Sequence, residues 1–194
     1  MLQEISRLAV EQIFVMLEQA YCNDRRIFII GNGGSAATAS HFALDLTKNT
    51  ITPGSPRIKA FSLTDHIPQI TAWGSDAAYE HIFSEQLVTL LEPDDLVIGI
   101  SASGDALNVI NAIKFASRSG ALTIGLLGAR GGQLKALVDA YVLAPGQNVE
   151  QEEDAHMILT HMMTRHMRSF LHTGERTLVT TLSPTPRESF YARR

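Results

Sequence analysis

Apolar positions along the chain occur in two kinds of segment. Five short runs rich in β-branched residues are apolar at successive positions, which is typical of strands covered on both faces. These runs are RIFII (26–30), RIKAFSL (57–63), DDLVIGI (94–100), ALTIGLL (121–127) and AYVLA (140–144). Stretches with helical spacing separate them, and the alternation predicts an α/β fold, a doubly wound sheet of about five parallel strands.

Two longer segments with helical spacing flank the predicted sheet. Residues 2–21 are apolar on more than one face, so this helix lies under the domain or packs on another subunit. Residues 150–171 predict a final helix with acids at its start and Arg165 and Arg168 near its end, a polarity that suits the helix dipole. We therefore predict one domain over residues 1–172 and an exposed or partner-bound tail over 173–194.

Composition narrows the class of protein. The chain has 194 residues, a formal charge of −4 and a single cysteine, which excludes a disulfide framework and a zinc site of several cysteines. The acidic balance gives no support for direct nucleic-acid binding. The first residues lack a signal-peptide pattern, and no apolar run is long enough for a membrane span. These features predict a cytoplasmic protein.

Three glycine- and serine-rich corners follow predicted strands: GNGGSA (31–36), SASGDA (101–106) and GARGGQ (128–133). Each corner leads into a predicted helix, the third of which is LKALVDA (134–140), so the chain contains three strand–corner–helix units. In a doubly wound sheet such corners lie where ligands bind, at the carboxyl ends of the strands. The first corner fits a dinucleotide-binding pattern, but the nearest acid, Asp65, lies 29 residues past Ala36, further than that fold requires. A nucleotide-dependent oxidoreductase thus rests on the glycines alone, and the corners could equally be turn formers.

Two histidines and a carboxylate are candidates for chemistry. His41 and Asp45 are four residues apart in a predicted helix, so both side chains lie on one face. From the spacing alone, a local hydrogen bond on a solvated face is the more common reason for such a pair. His161 lies in an apolar stretch of the final helix, where a core position is the alternative.

The quoted corners, together with SLTDHIPQITAWGSDAAYEHIFSEQL and the position of His41 six residues after Ser35, resemble the SIS (sugar isomerase) domain family. The resemblance covers residues 2–171 and is closest to the phosphoheptose isomerase branch. It implies a flavodoxin-like sheet, a homotetramer with sites where subunits meet, and aldose–ketose isomerisation of a sugar phosphate such as sedoheptulose 7-phosphate.

The resemblance also assigns site residues. Asp45 corresponds to the catalytic base and His161 to the acid, while a divalent metal, usually zinc in this family, falls on His41, Asp45, Glu153 and His161. Phosphate binding falls on Ser35, Ser101 and Ser103. The full set of substrate-binding positions is Asn32, Gly33, Gly34, Ser35, Asp76, Ser101, Ala102, Ser103, Asp105 and Glu153.

Several of these positions depart from the family pattern. Asp45 replaces a glutamate and is one methylene shorter. Glu153 replaces a glutamine, and this extra carboxylate makes the site more anionic and favours a harder metal. Helix geometry alone would align Asp154 with His161 better than Glu153. Asp105 introduces a carboxylate that repels phosphate. A second hypothesis is therefore a non-catalytic SIS module that binds a sugar phosphate, or an oligomeric adaptor for a protein such as a replication initiator.

Overall fold

A computed structural model of the protein describes residues 2–175 and 177. Five parallel strands form one sheet in the order β2-β1-β3-β4-β5. Their bounds are β1 Arg26–Gly31, β2 Lys59–Ser62, β3 Leu96–Ser101, β4 Leu122–Gly128 and β5 Ala140–Ala144. Each of the five predicted strands is present, and the order is that of flavodoxin-like sheets, so the predicted fold is confirmed.

Six α-helices cover the sheet: α1 Arg7–Cys22, α2 Gly34–Leu44, α3 Ile67–Asp76, α4 Ser84–Leu90, α5 Leu107–Arg118 and α6 Val149–Thr173. Helices α1, α2 and α6 bury apolar side chains against one face of the sheet, whereas α4 and α5 do so against the other. Alternate residues of β1 serve the two cores, with Ile27 and Ile29 in the first and Phe28 and Ile30 in the second. This double coverage explains why the strands are apolar at every position.

The N-terminal helix begins later than the predicted helix over residues 2–21. A 3₁₀ turn spans Leu2–Glu4, and α1 begins only at Arg7 because the Ser6 hydroxyl caps it by accepting the Ala9 N–H. Its broad apolar stripe packs within the chain, where Ile13 and Leu17 are fully buried. Packing under the domain is one of the two placements predicted for this helix. The Leu8 side chain on its other side is exposed, and packing on another subunit stays a prediction.

The third strand–corner–helix unit does not end in the predicted helix. After β4 the chain forms only a 3₁₀ turn, Gln133–Ala136. Gly131 and Gly132 hold positive φ angles just before it, and Asp139 already pairs with Thr123 at the start of β5. The segment between these fixed points is too short for a helix of several turns.

The final helix is longer than predicted, Val149–Thr173, and ends where Gly174 adopts a left-handed conformation. Beyond it, Thr177 donates a hydrogen bond through its hydroxyl to the buried carboxylate of Glu18 (2.7 Å), which also contacts His166. Most of the predicted tail, 178–194, lies outside the described residues. Within the described part, none of the helices combines the length and apolar character needed to cross a membrane.

Helices α2 and α6 lie side by side and run in the same direction. Gly34 at the start of α2 lies against Glu153 near the start of α6, and His41 contacts His161 further along both helices. Helix α2 begins at the carboxyl edge of the sheet, directly after β1. From the glycine-rich corners at that edge, the helix pair runs back along the sheet to His41 and His161.

Candidate metal centre and active site

His41, Asp45 and His161 bring three potential ligand atoms to one point. The two Nε2 atoms lie 3.0 Å apart, and Oδ2 of Asp45 lies 3.4 Å from Nε2 of His41 and 3.9 Å from Nε2 of His161. Asp45 is only 5% exposed, so the pair His41–Asp45 is not a hydrogen bond on a solvated face. The side chain of His161 points out of the apolar face of α6 and is half exposed. It is not a core histidine.

A local distortion of the backbone positions the carboxylate. At Asp45 the α-helix changes to a π-helical turn, Asp45–Asn49, a feature often found at functional sites. The amide of Asn49 donates to Oδ1 of Asp45 (2.6 Å), which leaves Oδ2 directed at the two imidazoles. The sequence contained a signal for this contact, since Asn49 follows Asp45 by four residues.

The spacing of these donors suits a divalent metal. Two ligands held about 2.1 Å from a tetrahedral zinc ion lie roughly 3.4 Å apart, and the three separations here range from 3.0 to 3.9 Å. Two imidazole nitrogens and one carboxylate oxygen form a donor set typical of catalytic zinc, which keeps a fourth position open. The triad therefore fits the predicted metal in both donor type and distance.

A cavity of about 420 Å³ opens beside the triad. Its walls include the three triad residues and Asn49, and α6 adds three more side chains, Thr164, Arg165 and Arg168. This volume lies within the roughly 300–1,000 Å³ of small-molecule sites. The arrangement can thus hold a small ligand next to a metal or to a proton-transferring pair.

Glu153, the fourth predicted ligand, is placed elsewhere. The triad is the group of described His, Cys, Asp and Glu side chains that converges here, and Glu153 is not part of it. Its carboxylate packs over Gly34, where a Cβ would lie 2.5 Å from the carboxyl carbon. Asp154, the alternative from helix geometry, is exposed. Only Glu153 therefore faces the first corner, and Gly34 is a glycine because the carboxylate occupies the space of its side chain.

The second corner uses its polar side chains to hold its own backbone. The Ser101 hydroxyl accepts the Gly104 N–H (3.1 Å) and the Ser103 hydroxyl accepts the Asp105 N–H (3.2 Å). Asp105 turns to the third corner, where its Oδ1 accepts the Gln133 N–H (2.9 Å). The Asp105 carboxylate, which the family resemblance places in a phosphate-binding loop, thus binds the backbone of the third corner instead.

Most of the remaining predicted positions are buried or hydrogen-bonded within the fold, and one is exposed. Asn32 and the buried Asn108 exchange two amide hydrogen bonds of 2.8 Å, and the Tyr79 hydroxyl donates to Asn32. Gly33 has a φ of 54°, Ser35 is buried, and Ala102 accepts the Gly128 N–H (3.1 Å) through its carbonyl. Asp76 ends α3 with an exposed side chain. Sequence reasoning missed Asn108, for which only its place after the second corner was a signal.

A buried histidine lies on α6 between Glu153 and His161. His156 is fully buried, and neither ring nitrogen makes a hydrogen bond of normal geometry to the described residues. Burial lowers the pKa of His156 below its ordinary 6.5, an effect offset in part by the backbone of Leu127 and by the negative charge of Glu152. The imidazole is therefore neutral in the fold at neutral pH.

Fold and site together define a flavodoxin-like α/β protein with a triad of potential metal ligands on α2 and α6. The triad lies about two to three helical turns from the glycine-rich corners. The model of the SIS domain family matches residues 2–128. The chain belongs to the SIS domain family.

Similar proteins match more of the chain than the 2–128 segment that the family model covers. A phosphoheptose isomerase of Aliarcobacter butzleri is 38% identical over 162 residues, which cover 82% of this chain and 80% of the relative. The solved phosphoheptose isomerase of Neisseria gonorrhoeae superposes with a TM-score of 0.73 at 33% identity, covering 84% of each chain. That of Francisella tularensis gives 0.77 at 26% identity, covering 84% of this chain and 86% of the other.

Proposed function

We propose that this protein is a sugar-phosphate aldose–ketose isomerase, with sedoheptulose 7-phosphate as its expected substrate. The observation that carries the proposal is the convergence of His41, Asp45 and His161 on one point in the wall of a cavity. A buried carboxylate and two imidazoles can together remove, hold and return protons. The similarity to phosphoheptose isomerases over most of the chain supplies the substrate class.

We assign the proton transfers to Asp45 and His161. Asp45 accepts the proton from the carbon beside the carbonyl while His161 donates a proton to the carbonyl oxygen, so that the C–H bond breaks and a cis-enediol forms. In the second half Asp45 returns its proton to the neighbouring carbon and His161 regains one from the adjacent hydroxyl. Oδ2 is the oxygen available for this role, because Oδ1 already accepts from Asn49.

His41, Asp45 and His161 would hold the divalent metal. Glu153, the further ligand that the family resemblance assigns, would have to leave its place over Gly34 to join them. When bound, such a metal polarises the substrate carbonyl and stabilises the developing oxyanion. Asp45 Oδ2 contacts the same Nε2 atoms that would bind the metal, which supports direct ligation over a role in orienting His41. An Nε2 that binds the metal has no proton to donate, and an Oδ2 that binds it is a weaker base, so the same atoms cannot perform both roles at once. Metal content and activity of the same variants decide which role Asp45 and His161 carry out.

Binding of the sugar phosphate is proposed for the corners. The phosphate would be contacted by Ser35, Ser101 and Ser103, together with Gly33, Gly34 and Ala102. The sugar would be contacted by the other assigned positions, Asn32, Asp76, Asp105 and Glu153.

We also propose a homotetramer with sites shared between subunits, and a cytoplasmic location. Exposed apolar side chains such as Leu44 and Met162 flank the triad on α2 and α6 and support a contact with another subunit there.

The test is conversion of sedoheptulose 7-phosphate by the purified protein, followed by NMR in deuterated water. The proposal expects the aldose isomer to form, with solvent deuterium at the carbon next to the carbonyl. An intact, metal-loaded assembly that binds sugar phosphates without converting any of them would instead support the non-catalytic SIS module. Stoichiometric recovery of a protein partner, without turnover, would support an adaptor.

A further inference from the structure

Two arginines line the triad cavity on its α6 side. Arg165 and Arg168 follow His161 by four and seven residues, so all three lie on one face of the helix. At 1.5 Å per residue the two arginines lie about 6 and 10.5 Å beyond His161 along the axis. Helical side chains tilt toward the N-terminus of their helix, which brings both guanidinium groups back toward the triad.

Neither arginine is neutralised within the part of the chain that the structure describes. Arg7, Arg25 and Arg26 each pair with a carboxylate, at Glu11, Asp94 and Asp95 respectively. Arg165 and Arg168 are exposed and make no ion pair or hydrogen bond with residues 2–175 or 177. Two adjacent cations at a cavity wall, without a counter-ion, favour an anionic ligand.

Charge is distributed unevenly along the α2–α6 pair. At the corner end, the carboxylates of Glu152, Glu153 and Asp105 lie against the glycine-rich backbone. At the other end, beyond the triad, the charged cavity side chains are the two arginines. The carboxylates of the first end oppose a phosphate dianion, so the proposed serine contacts there would have to offset them. The two arginines of the second end attract it, and the guanidinium group matches phosphate oxygens in a bidentate geometry.

We infer that Arg165 and Arg168 form a phosphate-binding subsite of the triad cavity, additional to the proposed serine corner. The phosphate comes either from the sugar substrate or from a separate phosphate ion. The first source rests on the proposed function, whereas the second does not.

The experiment is calorimetric titration of the full-length protein with inorganic phosphate, beside kinetics with sedoheptulose 7-phosphate. The variants are Arg165→Gln, Arg168→Gln and the double substitution, with Arg118→Gln, an exposed arginine at the end of α5, as the matched control. We expect the double variant to bind phosphate at least about tenfold more weakly, as for loss of hydrogen bonds to charged groups. The control variant should bind like wild type.

The kinetics identify the source of the phosphate. A KM that rises about tenfold in the double variant at unchanged kcat assigns the subsite to the substrate. An unchanged KM with lost phosphate affinity assigns it to a separate phosphate. Loss of phosphate binding in a protein that isomerises nothing leaves the subsite standing and removes the proposed function.

Equal phosphate affinity in the wild type and the double variant overturns the inference. So does a wild type that binds no phosphate. In that case, a change in sedimentation of the double variant would assign the two cations to a contact between copies of the chain.

Discussion

The two ends of the α2–α6 pair hold similar residues in opposite ways. At the corner end, Glu152 and Asp105 each accept a backbone N–H, at Ala129 and Gln133, so their charge stabilises the turns. About three turns along α2 from Gly34, Asp45 is buried, and its Oδ2 faces two imidazole nitrogens instead of the backbone. Carboxylates of the first kind hold the fold together, whereas the second kind is available for a metal or a proton.

The largest effect is expected at the triad. Asp45→Asn keeps the shape of the side chain and removes its charge, so we expect isomerase activity to fall by a factor on the order of 10² to 10⁴. Asp45→Glu should retain or improve activity on sedoheptulose 7-phosphate, because it restores the family's residue. The measurement is kcat/KM together with metal content, and Asp154→Asn, an exposed acid on α6, is the control.

A partial loss in Asp45→Asn, in proportion to lost metal, would reduce Asp45 to a ligand. Full activity would exclude it as the base.

At the corner end the expected effect is on stability. Gly104 has a φ of 71°, and a Cβ there would lie 2.5 Å from the Gly131 carbonyl carbon, so Gly104→Ala forces two corners apart. We expect a loss of about 2–5 kcal/mol, from backbone strain and overpacking together. Gly54→Ala is the control, since Gly54 has a φ of 83° but nothing near its Cβ position, and it should lose only about 1–2 kcal/mol.

Urea unfolding measures the free energy of unfolding of both variants. Equal losses at the two glycines would show that contact between the second and third corners contributes nothing.

The hydrogen bond behind the triad should have a smaller effect. Asn49→Ala removes the donor to Oδ1 of Asp45 and frees the carboxylate to rotate. We expect metal affinity to fall roughly 10- to 100-fold, as for other residues that orient metal ligands. Competition with a chelator measures it, and Lys48→Ala in the same turn is the control. Unchanged affinity in Asn49→Ala would mean that the π-helical turn alone fixes Asp45.

The smallest effect is expected from His156. Because burial lowers the pKa of His156 in the fold, the unfolded chain binds the proton more readily. The contribution of His156 to stability is therefore complete above about pH 6.5 and is lost as the pH falls below it. The total loss is about 1.4 kcal/mol for each unit by which folding lowers the pKa. His156→Leu should lose less stability between pH 7.5 and 5.5 than wild type or the exposed His66→Gln. An equal loss in all three would contradict a neutral, buried imidazole.

Much of this architecture could be predicted from the sequence because it depends on local patterns. Doubly apolar runs predict buried parallel strands, and glycines after strands predict the corners. The helix after β4 was predicted wrongly, because its apolar residues have helical spacing but Asp139 is already bound to Thr123. Local periodicity does not contain that tertiary contact.

The site was predictable only in part. The spacing of His41 and Asp45 placed them on one face, but their meeting with His161 depends on the parallel packing of α2 and α6, a contact across 120 residues. The pairing of Asn32 with Asn108 also depends on a long-range contact, across 76 residues. No local pattern in the sequence predicted the π-helical turn. Glu153 packs over Gly34 and not on the triad, so the role as a metal ligand that the family resemblance assigned to it stays a prediction.

The central claim is that His41, Asp45 and His161 form the catalytic metal centre. The most direct measurement is a zinc titration of metal-stripped protein, with bound metal and conversion of sedoheptulose 7-phosphate recorded on each sample. We predict that activity rises in proportion to bound zinc and reaches its maximum at one zinc per chain, and that His41→Ala shows neither. Full turnover in the stripped protein, or in His41→Ala, would contradict the claim.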